Sequence, residues 1–405
     1  MPSASDAVGC RDCGLIQFLP AKPGPGTHHC RRCDRVLERT NGRSLDAALA
    51  AAVTTLVLLF PANLLPLLRV DILQATNFSI LLSGVAGLWI QHWYLASLVV
   101  GLELIVIPFL RFGSLVAVLT ALKLGKRYDW MGPAFRWSGR FDAWAMLDIF
   151  LLGGVIGYAR IAPFLPVKIE AGGYCAIAAG VMTLITRATL ERRDIWQRIG
   201  PVVTDLKPQM IACSGCDLPV ALPCEGLRCP RCKERVWSHR PYGAMRAMAL
   251  TVAAFAFYPA AYAFPMEYSA QLGQKQGYTI MTGVQELITA HLWYFAALIF
   301  AFSVITPLLK LFALAWFGVS IGRRSDRRLR LKTRLYRLVD EIGRWSHIDV
   351  FTVAVFLPLM RLPGFLGVIV GKGLPAFLAV VVLTMVASTL FDPRALWQSA
   401  QEARA

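Results

Sequence analysis

The chain has 405 residues, 56% of them hydrophobic and 17% charged, with a formal net charge of +17 and a mean hydropathy of +0.52. That leaves too little polar surface to cover a water-soluble globule, so the composition excludes a soluble fold and predicts a polytopic membrane protein. The positive charge is clustered beside hydrophobic segments, the pattern that membrane topology and anionic headgroups produce, and nucleic-acid binding is not expected.

In chain order, the first motif is Cys10-x2-Cys13 followed by Cys30-x2-Cys33, with 16 residues between the pairs. The opening residues are polar and Cys10 arrives before any apolar stretch, so no cleavable signal peptide is expected and the motif should stay in the cytoplasm. Apolar windows of about 20 residues, the length that crosses the hydrocarbon core, follow near Ala47 to Leu68, Trp93 to Leu122, Ala143 to Leu165 and Ala171 to Leu190. Cys213-x2-Cys216 and Cys229-x2-Cys232, with 12 residues between them, then open a second round. Its windows lie near Ala244 to Phe264, Leu292 to Gly318, Asp349 to Leu366 and Leu374 to Phe391. A motif and four windows therefore occur twice, and the repeating unit is half the chain. The expected fold is an all-α polytopic membrane protein of two tandem four-helix transmembrane modules, each preceded by a small cytoplasmic zinc ribbon. Its divisions are an N-terminal ribbon at 1–44, the first module at 45–192, a second ribbon at 193–242, the second module at 243–392 and a tail at 393–405.

Short loops rich in Lys and Arg remain on the cytoplasmic side. The loop with Lys123, Lys126, Arg127, Arg136 and Arg140 and the stretch from Arg323 to Arg344, with nine basic residues against three acidic, both flank window ends on the side of the cysteine motifs. Both termini and both motifs therefore read as cytoplasmic. Arg323 to Arg344 also has the pattern of an amphipathic surface helix, with Leu329, Leu335, Leu338 and Ile342 as its apolar side.

Two closely spaced cysteine pairs, each on a tight turn, are what a tetrahedral four-thiolate site requires, and four protein ligands leave no open position for catalysis. Two structural zinc sites are expected, with Cys10, Cys13, Cys30 and Cys33 in one and Cys213, Cys216, Cys229 and Cys232 in the other. The alternatives are disulfides, disfavoured in a reducing cytosol, or bare thiols. Cys224 lacks a pair partner, His28 and His29 compete with Cys30 as ligands, and Cys175 reads as a small core residue.

The membrane part repeats in finer detail. Trp144-Ala-Met-Leu-Asp148-Ile-Phe150 matches Trp345-Ser-His-Ile-Asp349-Val-Phe351, and Arg160 and Arg361 each follow the aspartate by twelve residues. Pro108 and Arg111 match Pro307 and Lys310, and Phe60-Pro61 matches Phe264-Pro265 as a helix end. Two copies of the same orientation imply a pseudo-symmetry axis along the membrane normal. Ionisable residues inside apolar helices are costly and face the bundle interior. The second copy is expected to gather Lys310, Asp349, Ser303, Ser346 and Thr384, and the first a thinner counterpart of Arg111, Asp148 and Glu103. Such a cluster couples transport to protons, or Lys310 and Asp349 simply hold two helices together. Arg160 and Arg361 are expected at the outer helix ends, against headgroups or a periplasmic partner.

Two four-cysteine motifs each ahead of a four-helix unit, the Phe60-Pro-Ala-Asn-Leu-Leu-Pro66 element and the doubled Trp-x3-Asp-[IV]-Phe element together resemble the paraquat-inducible protein A family from Cys10 to about Phe391. The resemblance implies a Gram-negative inner-membrane protein that works with a periplasmic MCE-domain protein, a hexameric tunnel, and moves phospholipids or other lipids between the two membranes to maintain the envelope. It also implies zinc-ribbon folds for the motifs. The chain carries no phosphate-binding Gly-x4-Gly-Lys-[Ser/Thr] loop, nucleophile elbow or zinc-protease helix, and no enzyme is expected. A small-molecule exporter and a zinc or redox sensor are the competing readings.

Overall fold

The protein is described from a computed structural model, over residues 7–19, 26–40, 42, 44–72, 75–161, 166–200, 209–271, 274–359 and 366–402. The first ribbon is two short hairpins, β1 (Ala7–Gly9) with β2 (Ile16–Phe18) and β3 (Gly26–His29) with β4 (Val36–Thr40), each closed around one cysteine pair. The first membrane copy begins with α1 (Leu45–Leu64), whose Ser44 hydroxyl accepts from Ala47 N at the N-cap. A hairpin of β5 (Leu68–Ile72) and β6 (Ala75–Ser79) leads into the short helix α2 (Leu81–Ile90). One long helix follows as α3 (Tyr94–Gly101), a π-helical turn at Leu102–Val106 and α4 (Ile107–Lys123). Then come α5 (Met131–Phe141), α6 (Leu147–Ile161), β7 (Val167–Ile169), α7 (Ala171–Thr189) and α8 (Arg192–Ile199).

The second ribbon is built on β8 (Met210–Ala212) and β9 (Pro219–Ala221). The second membrane copy repeats every element in order. These are α9 (Gly243–Ala263), β10 (Glu267–Gln271), β11 (Gln274–Tyr278), α10 (Ile280–Thr289), α11 (Trp293–Ile299), a π-helical turn at Phe300–Ile305 and α12 (Thr306–Gly322). α13 (Leu329–Ile342), α14 (Ile348–Leu359), β12 (Leu366–Val370), α15 (Gly373–Leu390) and α16 (Arg394–Glu402) complete it.

Six helices among the described residues are long and apolar enough to cross a membrane, three per copy, and only 22 to 56% of each apolar window is buried inside the protein. The remainder is an apolar outer surface suited to lipid, and the chain is a multi-pass membrane protein. The third helix of each copy, α6 or α14, is described as far as Ile161 or Leu359, and residues 162–165 and 360–365 of the apolar windows lie outside those described. Each copy also carries small sheets that the hydrophobic windows concealed. At the helix ends away from the ribbons, β5 pairs antiparallel with β6 and β7, and β10 with β11 and β12. The sheets give the backbone leaving α1 and α9 its hydrogen bonds.

Packing follows from small residues. The α1 face against α7 presents Ala48, Ala51, Ala52, Thr55 and Ala62, and α7 presents Gly172, Gly173, Ala176, Ala179 and Gly180. Small faces let helix backbones approach closely where lipid supplies no hydrophobic drive. A Cβ at Gly172 would lie 2.4 Å from the Leu65 carbonyl oxygen, so only glycine fits there. The two copies meet along α6 and α14, where Phe150 and Phe351 form an edge-on pair with centroids 6.1 Å apart and Thr352 Oγ1 donates to the Gly153 carbonyl at 3.3 Å.

The structure corrects one register. α1 runs through Pro61 to Leu64, so Phe60-Pro61 is not the helix end, and Pro66 rather than Pro61 stands where Pro265 stands after α9. A proline in the last turns removes one hydrogen bond without stopping the helix.

The ribbons dock crosswise. Arg337 on α13 of the second copy pairs with Asp12 of the first ribbon at 3.0 Å and donates to the Cys33 carbonyl at 3.1 Å. Its counterpart, Arg136 on α5 of the first copy, pairs with Glu234 of the second ribbon at 2.9 Å and donates to the Cys232 carbonyl at 2.9 Å. The copy that each ribbon precedes holds it too: Arg193 on α8 pairs with Glu38 at 2.5 Å, and Arg394 on α16 donates to the carbonyls of Ala212 and Trp237 at 3.0 and 2.9 Å. Each ribbon is thus fastened to both membrane copies. The helix at Leu329–Ile342 forms as expected, but its Arg330, Arg334 and Arg337 face the first ribbon.

Candidate functional site

Each cysteine pair sits on one repeated turn. Cys10, Cys30, Cys213 and Cys229 accept at their carbonyls from the amides of Gly14, Asp34, Asp217 and Lys233. Those four residues all adopt positive φ, between 58° and 74°. The left-handed step after the second cysteine turns the chain back and aims both sulfurs inward. Across the first ribbon Cys10 Sγ lies 3.5 Å from Cys33 Sγ, and Cys13 Sγ 3.6 Å from Cys30 Sγ. The second repeats this, with Cys213 to Cys232 at 3.5 Å and Cys216 to Cys229 at 3.6 Å. A tetrahedral Zn–S bond of about 2.3 Å places sulfurs about 3.8 Å apart, so both sets fit one metal ion of that size. All eight thiols are buried and free of disulfides. Two buried four-cysteine clusters that can hold a metal ion are therefore present. Cys224 and both histidines lie outside them, and His29 Nδ1 is 3.3 Å from Asp34 at the surface.

The interior of the first copy holds an ion-pair chain. Arg111, buried on α4, pairs with Asp142; Arg187 on α7 pairs with Asp142 at 2.9 Å and with Asp148 at 2.8 Å. Arg111 and Asp148 are thus brought into one network, through two residues that the sequence reading did not single out. Partial burial pushes the Asp142 carboxyl up, but the guanidinium groups of Arg111 and Arg187 outweigh it and hold the group below the usual carboxylate range.

In the second copy, Trp144 matching Trp345 and Trp196 matching Trp397 set a register in which Gly343 replaces Asp142 and Ser388 replaces Arg187. Lys310 fills the vacated space: it is 2% exposed, and a Cβ at Gly343 would lie 2.6 Å from its Nζ. Ser303, Ser346 and Thr384 are buried in the same copy, Thr384 Oγ1 donating to the Val381 carbonyl at 3.0 Å. No ion pair joins Lys310 to Asp349 among the described residues. The Oγ atoms of Ser303 and Ser346 are buried without a hydrogen-bond partner among those residues.

The π-helical turns have a local cause. Pro108 and Pro307 would clash with the carbonyl four residues earlier, and widening the turn just ahead of each relieves the clash. In the second copy the carbonyl that loses its donor is that of Ser303, and the Tyr262 hydroxyl donates to it.

Glu103 does not join Arg111 and Asp148. It lies in the first π-turn, 1% exposed, with its Oε1 3.2 Å from Nε2 of His347, which is fully buried on the second copy. This titratable pair spans the boundary between copies. His347 was missed although its signal was available, since it interrupts the repeated Trp-x3-Asp element where the first copy has Met146. Arg160 lies in the last turn of α6, and Arg361 lies outside the described residues.

These features define a duplicated multi-pass membrane protein with paired four-cysteine ribbons and a charged, partly buried interior. The family model described as "Paraquat-inducible protein A" matches residues 45–200 and 244–401, one copy each, and the chain belongs to that family. Over 98% of its length it is 26% identical to "Intermembrane transport protein PqiA" of Escherichia coli strain K12, covering 97% of that protein. It is 25% identical to "Lipophilic envelope-spanning tunnel protein A" of the same strain, over 99% of this chain and 93% of the relative. A "Probable intermembrane transport protein" of Haemophilus influenzae is 21% identical over 91% of this chain and 90% of its own length. No solved structure matches the chain.

Proposed function

We propose that this chain is the inner-membrane component of an MCE-type system that moves phospholipids or other lipids between the inner and outer membranes and maintains the envelope. The observation that carries this reading is similarity over nearly the whole chain to relatives named for intermembrane transport and an envelope-spanning tunnel. The ribbons hold zinc as structural sites, since four thiolates at these spacings suit it and no ligand position is left open. The basic segments lie at the ribbon ends of the helices, so the ribbons and both termini are cytoplasmic, and the sheets face the periplasm and an MCE-domain hexamer. The chain is a transporter rather than an enzyme. Lys310 and Asp349, with Ser303, Ser346 and Thr384, are the groups through which a proton gradient would act.

Affinity purification from membranes in mild detergent, with mass spectrometry of co-purifying protein and lipid, tests the proposal. The expected result is an MCE-domain protein together with phospholipid. Recovery of the chain alone and lipid-poor would favour an exporter. Lys310→Met and Asp349→Asn should abolish transport while the protein accumulates normally; loss of the protein itself would assign both residues to packing.

A further inference from the structure

The two ribbons and α8 enclose a cavity of about 140 Å³ at the ribbon end of the molecule. Among the described residues five arginines line it, Arg11 and Arg35 from the first ribbon, Arg231 from the second, and Arg192 and Arg193 from the first turn of α8, with one lining carboxylate, Asp217. Three arginines have carboxylate partners: Arg11 with Asp217, Arg35 with Asp12, and Arg193 with Glu38. Among the described residues no carboxylate pairs with Arg192, which lines the cavity as a cationic group beyond those three pairs. A separate observation concerns donors left without an acceptor. Trp196, 3% exposed, lines the same cavity, and its Nε1 is buried with no hydrogen-bond partner among the described residues, as is Nη2 of Arg193.

We infer that this cavity binds a phosphate-type oxyanion, held by Arg192, Arg193 and the Trp196 N–H. Buried donors are satisfied in native proteins, so orphaned N–H groups on a polar cavity mark an acceptor that belongs there. Guanidinium forks suit the oxygens of a tetrahedral oxyanion, and the amides of the first turn of α8 add a field of the same sign. The space holds a phosphoryl group with a few waters, since one water occupies about 10–15 Å³ on this measure. An oxyanion there would touch both ribbons and the first membrane copy at once, fastening the crosswise assembly. The source is either free phosphate or the headgroup of an anionic phospholipid, because α8 follows directly on the ribbon end of α7.

The test uses the metal-loaded full chain in neutral detergent, titrated with inorganic phosphate at constant ionic strength and followed by calorimetry and thermal melting. A second arm compares nanodiscs of phosphatidylcholine alone with nanodiscs containing phosphatidylglycerol. Saturable phosphate binding assigns a free anion; stabilisation by phosphatidylglycerol only assigns a headgroup. In either case Arg192→Gln, which breaks no ion pair, and Trp196→Phe, which deletes only the N–H, should each weaken the response about tenfold or more, while Arg192→Lys retains part of it. Metal content equal to the parent shows that the ribbons are intact. The proposal fails if neither probe acts on the parent protein, leaving a water-filled cavity, or if both variants respond as the parent does.

Discussion

Asp142 shows how much one side chain alters a repeated scaffold. In the first copy it joins Arg111 to Arg187, and in the second Gly343 leaves room for Lys310 instead. Its carboxyl titrates below the usual value of about 3.9, because Arg111 and Arg187 favour the charged form. A carboxyl lowered in the folded state contributes stability above its unfolded pKa and loses that contribution as pH falls through the folded one. Melting temperature in detergent should therefore drop as pH is lowered below about 4. Asp142→Asn should melt a few degrees lower at neutral pH and lose part of that acid-side slope. A variant that parallels the parent at every pH would show that the network does not depend on the Asp142 charge.

The docking helices α5 and α13 carry out one task with different partners. Each places an arginine on the carbonyl of the last cysteine of the ribbon that precedes the other copy, and that arginine also pairs with an acidic residue of the ribbon. Removing such a charge-assisted contact costs about 1.5–3 kcal/mol. Arg136→Glu should lower the melting temperature, and combining it with Glu234→Arg should restore most of the loss, with Arg140 left to repel the new arginine in part. No recovery in the double variant would mean that the carbonyl contact, not the ion pair, carries the docking. How much of this was readable in the sequence depended on distance along the chain. The cysteine sets, the duplication and the long helices follow from spacing and hydropathy over short windows, and they stand in the structure. The crosswise docking, the π-turns, the three-stranded sheets and the Glu103–His347 pair depend on which copy packs against which. Local periodicity carries none of that. Asp142 and Arg187 lay at the rims of apolar windows, where charged residues ordinarily snorkel to water, and so gave no sign of facing one another.

In the whole molecule, the ribbons join the two membrane copies at one end, while α6 and α14 join them along the bundle. The duplication makes this joint testable, because each ribbon should answer to the opposite copy. A four-thiolate site this small has little core besides its metal, and losing a ligand unfolds it. Cys213→Ser should therefore release the second ribbon and expose α5 at Met131–Phe141, where a Cβ on Gly132 would already lie 2.0 Å from the Arg231 carbonyl oxygen. Cys10→Ser should instead release the first ribbon and expose α13 at Leu329–Ile342, which holds it through Arg330, Arg334 and Arg337. Hydrogen exchange read by mass spectrometry distinguishes the two. Loss of contacts of about 1.5–3 kcal/mol raises local exchange tenfold or more, and of the two docking helices the rise should appear in the one on the copy the ribbon does not precede. Chelation of both metals should raise exchange in α5 and α13 together and leave α1 and α7 protected, since those two helices pack through small residues. If Cys213→Ser loosened α13 and spared α5, the ribbons would serve the copies they precede and the crosswise joint would not exist in solution. If exchange rose only within the ribbons, they would be appendages, and the copies would be held by their membrane helices alone.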